Sequence, residues 1–329
     1  MRPPRARSSS RRRLLAAALG SLAPGIAPAQ PAFPSRPITL VVPFGPGGIA
    51  DLTARAVARP MSVSLRQPIV VDNRPSAGAI VGATAVAHAP PDGHTVLLLS
   101  NANAVSAGLF RRLPFDVQRD FAPVTTLAFF DLALFVASGS AWRSVKDVIA
   151  RTKAKPGRLT IGTIASGSTQ HLAAELFKSM AQLDAVVVPY KGTPAVITAL
   201  RGGEIDLAFE ILGPMLPQLD GGALRALAVA SERRFAGLPD VPTVQESGLP
   251  GYAAASWNAL AVPAGTPSSV IGQLQRAANE ALALPAVQRQ LQAFGVRAQG
   301  GTPQQLQQLL ASEIQRWSRV IEAAGIERQ

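Results

Sequence analysis

The stretch "VVPFGPGGIADL" (Val41–Leu52) decides how the chain is read: a β-branched run enters a glycine-rich turn and leaves it as a helix. Strand, small-residue turn and helix in that order form the unit of α/β sheets. The free N–H groups at the start of such a helix point beyond the carboxyl end of the strand, so a ligand is expected there.

The same unit recurs outward along the chain. Candidate strands are Ile38–Val42, Ile69–Asp72, Thr95–Leu99, Leu132–Ala137, Leu159–Thr163, Ala185–Tyr190, Ile205–Glu210, Leu224–Ala230 and Trp257–Pro263. They are apolar on both faces, the pattern of buried parallel strands. Helical patterns fall at Ile49–Leu65, Val145–Ala154, Thr169–Ala181, Pro194–Arg201 and Ser268–Ala283, and Ser144 is placed to cap the second. A long helix, Pro303–Ala324, carries Leu306, Leu309, Leu310, Ile314, Trp317 and Ile321 at helical spacing. The expectation is an α/β fold of parallel sheets covered by helices, with attention on the turns after Val42, Leu99, Thr163, Tyr190 and Glu210.

Two chemistries compete for the first turn. Gly45-x-Gly47-x-x-Ala50 matches a dinucleotide fingerprint, and Asp72 stands 22 residues beyond Ala50, where an acid for a ribose hydroxyl is wanted. Against this, Pro46 has no N–H to offer a phosphate and Pro43 bends the entry. An exported oxidoreductase using this turn is therefore the alternative to a binding protein. The second turn, "TIASGSTQHLAAELF" (Thr163–Phe177), supplies hydroxyls and N–H groups from Ser166, Gly167, Ser168 and Thr169 at a helix start. Two such turns across a cleft would grip both ends of a small dicarboxylate, although Ser168 or Thr169 also serves as an ordinary helix cap. Ser168 and His171 lie three apart on one helix, but no G-x-S-x-G elbow accompanies them, so serine catalysis is not expected.

Composition narrows the classes further. Six arginines and no acids occupy Met1–Arg13, followed by the short apolar run Leu14–Ala23 and "APA" at Ala27–Ala29. That order reads as an export signal cleaved between Ala29 and Gln30, by the general secretory route or, given "SRRRLL", the twin-arginine one. The apolar run is about half of what a membrane-spanning helix needs. Thirty-two basic and twenty acidic residues give +12, and removing the six leader arginines leaves +6 without any basic run. A nucleic-acid binder concentrates its positive charge, so nucleic acid is not an expected partner. The absence of cysteine excludes disulfides and thiolate chemistry, and His88, His94 and His171 are too scattered for a metal site.

Longer segments carry a resemblance. "FPSRPITLVVPFGPGGIADLTAR", "VVDNRPSAGAIVGATAVA", "PPDGHTVLLLS", "LFRRLPFDVQRDFAPVTTLA", "KPGRLTIGTIASGSTQHLAAELF", "VVVPYKGTPAVITALRGGEIDLAFE", "LRALAVASERRFAGLPDVPTVQESGLPGY" and "SWNALAVPAGTP" cover essentially the whole mature chain in order. The sequence resembles the extracytoplasmic solute receptors of tripartite tricarboxylate transporters, the TctC-like or Bug proteins. The resemblance implies a type II periplasmic binding protein fold: two α/β domains with a ligand cleft between them. Domain 1 would be residues 30–130 plus 255–329 and domain 2 residues 131–254, after an export signal at 1–29, with crossings near Ala128–Leu132 and Tyr252–Trp257. It implies a monomeric, periplasmic, non-enzymatic receptor without cofactor, closing on a small carboxylate and serving a membrane permease or a sensor protein.

Carried onto this chain, the first binding loop is Phe44, Gly45, Pro46, Gly47, Gly48, Ile49 and Asp51, with N–H groups of Gly47, Gly48 and Ile49 as the cradle. The second is Ser166, Gly167, Ser168, Thr169 and Gln170. Asn101, Lys191 and Glu210 complete the candidate set. Asp51 would bind an amino group, orient a loop N–H or simply favour its helix dipole. Lys191 attracts anions or is a solvated loop residue, and Glu210 receives a cationic or hydroxylated ligand or ends its strand. Departures from the family pattern fall where a ligand could be touched. "GAGGNIG" becomes Ser76-Ala77-Gly78-Ala79-Ile80-Val81-Gly82, a "GTAGTHAIN"-like run becomes Ser100–Gly108, and "FDN" becomes Phe209-Glu210-Ile211.

Overall fold

The fold is known from a computed structural model that describes Met1 and residues 33–329. The expected export signal and its cleavage site lie outside the described residues. Among the latter are ten strands and ten α-helices in largely alternating order. The strands are β1 Ile38–Val42, β2 Ile69–Asn73, β3 Thr95–Ser100, β4 Phe121–Ala137, β5 Leu159–Ile164, β6 Ala185–Tyr190, β7 Leu207–Ile211, β8 Leu224–Val229, β9 Ala255–Pro263 and β10 Val296–Ala298. The helices are α1 Ile49–Ser64, α2 Ile80–Ala87, α3 Asn101–Leu109, α4 Val145–Ala154, α5 Thr169–Ala181, α6 Thr193–Gly202, α7 Leu212–Asp220, α8 Ser268–Ala283, α9 Pro285–Ala293 and α10 Pro303–Ala323.

The strands pair along the path β2-β1-β3-β9-β4-β7-β5-β6, with β8 and β10 also pairing with β4. Parallel pairing is confined to β2-β1-β3 and to β6-β5-β7. The expectation of parallel sheets throughout is therefore corrected: β4, β8, β9 and β10 run in antiparallel pairs. Their apolar faces reflect layers packed on both sides of the central strands, which burial demands whatever the strand direction. At the two edges the expectation of two buried faces also fails, since Val70 of β2 and Val186 of β6 are exposed.

β4 ties the two parallel groups together. Up to Asp131 it pairs with β9, and from Leu132 it pairs with β7. Only Leu132–Ala137 is legible as strand in the sequence, because the earlier half holds Pro123, Thr125, Thr126 and Asp131. The register shifts between Pro123 and Thr125 and again between Thr126 and Ala128, and such irregularities are where a strand tolerates proline.

The long C-terminal helix follows its pattern: Leu306, Leu310, Trp317 and Ile321 are buried and Leu309 and Ile314 half-buried. Thr302 caps it by accepting the Gln305 N–H at 3.2 Å. Ser144 caps α4 through the Asp147 N–H at 3.1 Å, as the sequence indicates. Trp317 is wholly buried, and its indole N–H donates to Asn101 Oδ1 at 2.9 Å and Glu313 Oε2 at 2.7 Å. α10 thereby holds the start of α3, and through it the site.

Candidate functional site

A cavity of about 610 Å3 opens at the carboxyl ends of the strands and takes its walls from both predicted loops. Phe44, Gly45, Pro46, Gly48 and Ile49 line it from the turn after β1, and Ser166, Gly167, Ser168, Thr169 and Gln170 from the turn after β5. The two loops are built alike. Gly47 and Gly167 each take φ +78°, a left-handed conformation that turns the chain into the cap of the following helix. At Gly167 a Cβ would also collide with Leu109 Cδ2.

The N-terminal end of α1 presents the N–H groups of Ile49 and Ala50, and that of α5 those of Thr169 and Gln170; none has an acceptor among the described residues. α3 begins beside them, because Asn101 Nδ2 donates to Thr169 Oγ1 at 2.8 Å. β1 and β3 are also parallel neighbours, which sets their following turns side by side. Three helix N-termini, each carrying about half a positive charge, thus open on one cavity. No charged side chain lines it among the described residues.

Five sequence candidates lie outside this lining. Gly47 gives its N–H to Asp51 Oδ2 at 2.9 Å, so that donor is used within the loop. Asp51 is buried; besides Gly47 it takes Arg55 Nε at 3.0 Å and Asn73 Nδ2 at 3.0 Å, and Asn73 also donates to the Phe44 carbonyl. Its burial raises the carboxyl pKa, but the bonds from Arg55, Gly47 and Asn73 outweigh this and leave it below the usual range. Asp51 therefore shapes the first loop from behind. Asn101 is likewise buried and acts between Trp317 and Thr169. Lys191 is exposed in the turn before α6.

Glu210 is fully buried under the second loop. Its Oε2 accepts from Gln170 Nε2 at 3.3 Å, Thr193 Oγ1 at 3.2 Å and the Ile211 N–H at 3.1 Å, while Oε1 has no partner among the described residues. Burial pushes its pKa up to about 7 despite those three donors.

Ser168 is a cap rather than a nucleophile. Its hydroxyl donates to the Ile164 carbonyl and accepts the His171 backbone N–H, while the His171 ring nitrogen Nδ1 accepts the Gly167 N–H at 3.3 Å. The dinucleotide reading finds no support either. Asp72, the acid it requires, is ion-paired with Arg74 at 2.8 Å and does not line the cavity.

Several walls lie outside the candidate set. The turn Ser76–Ala79, singled out in the sequence only as a departure from the family pattern, lines the cavity, and Ala79 holds a left-handed φ of +60°. Ser100, Val105, Phe110, Phe130, Ile211, Ser256 and Asn258 also line it. Asn258 and Phe130 sit inside strands whose apolar pattern gave no hint of a ligand. A second cavity, about 750 Å3, lies against β4, β9 and β10 and holds Asp131, Glu313, Arg297 and Arg316. It contains none of the predicted residues, and Arg316 is already paired with Glu313 at 3.2 Å.

A mixed α/β protein whose helix N-termini open on a cavity lined from both strand groups has the architecture of the solute-binding proteins. The model of the tripartite tricarboxylate transporter family receptor matches residues 53–326, and the chain belongs to that family. Protein BugT of Bordetella pertussis is 37% identical over 295 residues, 89% of this chain and 90% of BugT. A solved structure described as R. palustris Rpa4515 with adipate is 35% identical with a TM-score of 0.79, covering 90% of this chain and 99% of that one. MatC of Rhodopseudomonas palustris with bound malate is 31% identical with a TM-score of 0.75, covering 88% and 100%. Among the described residues no helix is long and apolar enough to cross a membrane.

Proposed function

We propose that this chain is a monomeric, non-enzymatic receptor of the periplasm that encloses a small organic carboxylate and delivers it to a membrane permease or a sensor protein. The observation that carries this reading is the convergence of α1, α3 and α5 N-termini on one cavity free of charged side chains. Oriented N–H groups attract and hydrogen-bond a carboxylate without a counter-charge to desolvate. The adipate and malate held by two similar structures belong to the same ligand class.

The two domains are residues 30–130 plus 255–329 and residues 131–254. The change of partner along β4 at Asp131 and Leu132 supports that division. Closure by rotation about these strands stores ligand affinity only if the closed state binds more tightly. Ile49, Ala50, Thr169 and Gln170 supply the backbone donors. Asp51, Asn101 and Glu210 hold the loops that present them.

Native mass spectrometry of the protein purified from its exported compartment tests the reading. A retained small organic acid, released on denaturation, is the expected result. A retained dinucleotide, or a folded protein that binds no carboxylate in titration, would overturn it.

A further inference from the structure

The second cavity, about 750 Å3, lies directly behind the first. Side chains of a strand point alternately to its two faces, and the crossing strands divide accordingly. Phe130 of β4 and Ser256 and Asn258 of β9 line the first cavity, whereas Phe129 and Asp131 of β4 and Ala255 and Trp257 of β9 line the second. The register pairs Phe129 with Trp257 and Asp131 with Ala255, so the two cavities stand back to back on the same pair of strands. The segment Ser231–Ala236 after β8, together with α9, β10 and α10, completes the second wall.

Asp131 is only 5% exposed, and its Oδ1 has no hydrogen-bond partner among the described residues. The Ser231 hydroxyl beside it donates to the Arg233 carbonyl at 2.9 Å. Burial pushes the Asp131 carboxyl pKa up, and the field of Arg297 only partly offsets this. The two form no ion pair: the Arg297 guanidinium lies 5.1 Å from the Phe129 ring centroid and gives an N–H to Gln299. A carboxylate withdrawn from water without a donor is costly, and a cationic group that reaches it recovers that cost. Trp257 is 1% exposed, and its indole N–H likewise lacks an acceptor among the described residues.

The rim carries an excess of the opposite charge. Arg234 is held by Glu246 at 2.9 Å and Arg316 by Glu313 at 3.2 Å. Arg233, Arg297 and Glu232 are exposed on the lining without ion-pair partners among the described residues, which leaves two positive charges against one negative. Trp257, Val296 and Leu309 add apolar surface. We propose that this cavity is a second ligand site, for a small zwitterion of the α-amino-acid type with an apolar side chain. Its ammonium donates to Asp131 and its carboxylate is held by Arg297 and Arg233. Among the described residues no acidic side chain lines the first cavity, so of the two only the second offers an ammonium a side-chain carboxylate. The assignment uses none of the groups of the first cavity and stands apart from the receptor reading.

Isothermal titration of the mature protein with L-leucine and L-phenylalanine tests it. At least one is expected to bind with a Kd of about 1 mM or tighter. Asp131→Asn, which keeps the size and removes the charge, is expected to weaken that binding by about tenfold or more. Arg297→Gln, at an exposed position, is expected to weaken it by about threefold and serves alone if the first variant does not fold. Adipate and malate titrated into the same variants report on the first cavity, and their affinities should stay within about twofold of the wild type. A folded wild type that binds neither amino acid, or variants that bind them as tightly as the wild type, would overturn the proposal. Parallel loss of amino acid and dicarboxylate in a folded variant would place both ligands in the first cavity and overturn it as well. Asp131-dependent amino-acid binding in a protein that binds neither dicarboxylate would sustain the second site and count against the receptor reading alone.

Discussion

Replacing Glu210 with glutamine should stabilise this protein at alkaline pH and do almost nothing in acid. Glu210 is wholly buried, and burial lifts its pKa from the ordinary 4.5 to about 7. In the pH range between those values the unfolded chain ionises while the folded protein keeps its proton. Stability therefore falls as pH rises through that window, and above about 7 the cost is constant because both states are ionised. The gap corresponds to roughly 3 kcal/mol at most, at about 1.4 kcal/mol per pH unit. Glutamine imitates the protonated acid: one oxygen still accepts from Gln170, Thr193 and Ile211, and no charge forms. Urea denaturation of the wild type and Glu210→Gln at about pH 5 and pH 8 measures the difference. The variant should gain up to roughly 3 kcal/mol at pH 8, about 6 °C in melting temperature, and under about 1 kcal/mol at pH 5. A variant less stable than the wild type at pH 8 would show that Glu210 is a compensated carboxylate, and the reasoning would be wrong.

Asp51→Asn removes the charge that holds Gly47, Arg55 and Asn73, so the first loop should loosen and carboxylate affinity fall by about tenfold, measured by titration calorimetry. Because the Asp51 carboxyl lies below its ordinary 3.8, its contribution to stability is present above that value. It is lost as pH falls through the folded value, and acid denaturation of the two proteins should converge there. Gly167→Ala combines a left-handed φ with a collision against Leu109 and should cost about 1–3 kcal/mol, read as a lower denaturation midpoint. Trp317→Phe leaves Asn101 Oδ1 without its buried donor; a stability loss of about 1–3 kcal/mol with weaker ligand binding is expected, and an unchanged affinity would detach α10 from the site.

Local chemistry made much of the protein legible. Strand β1, the turn at Gly45–Gly48 and α1 follow from residues within about a dozen positions, as do β5, the turn at Ser166–Ser168 and α5. The Ser144 cap and the buried face of α10 are equally local. Each is specified by spacing, caps and glycine, which act over a few residues.

Contacts distant in sequence were not legible. Whether Asp51 would face a ligand or the back of its own loop depended on Asn73, 22 residues away, whose amide meets the carboxylate at 3.0 Å. Asn101 reads as a free polar group at the end of a strand until Trp317, 216 residues later, claims its oxygen. Asn258 is one residue in an apolar strand until the register against Ser100 brings it to the cavity.

The sequence by itself therefore determined the strand–turn–helix units, their glycine turns and the two loops that line the cleft, since short-range sterics and hydrogen bonding decide those. Only the tertiary structure decided which strands run antiparallel, which polar side chains are spent holding loops, and which remain unpartnered beside the cavity. Those outcomes depend on long-range register and burial, where a carboxylate or amide is assigned its role by neighbours that no local pattern specifies.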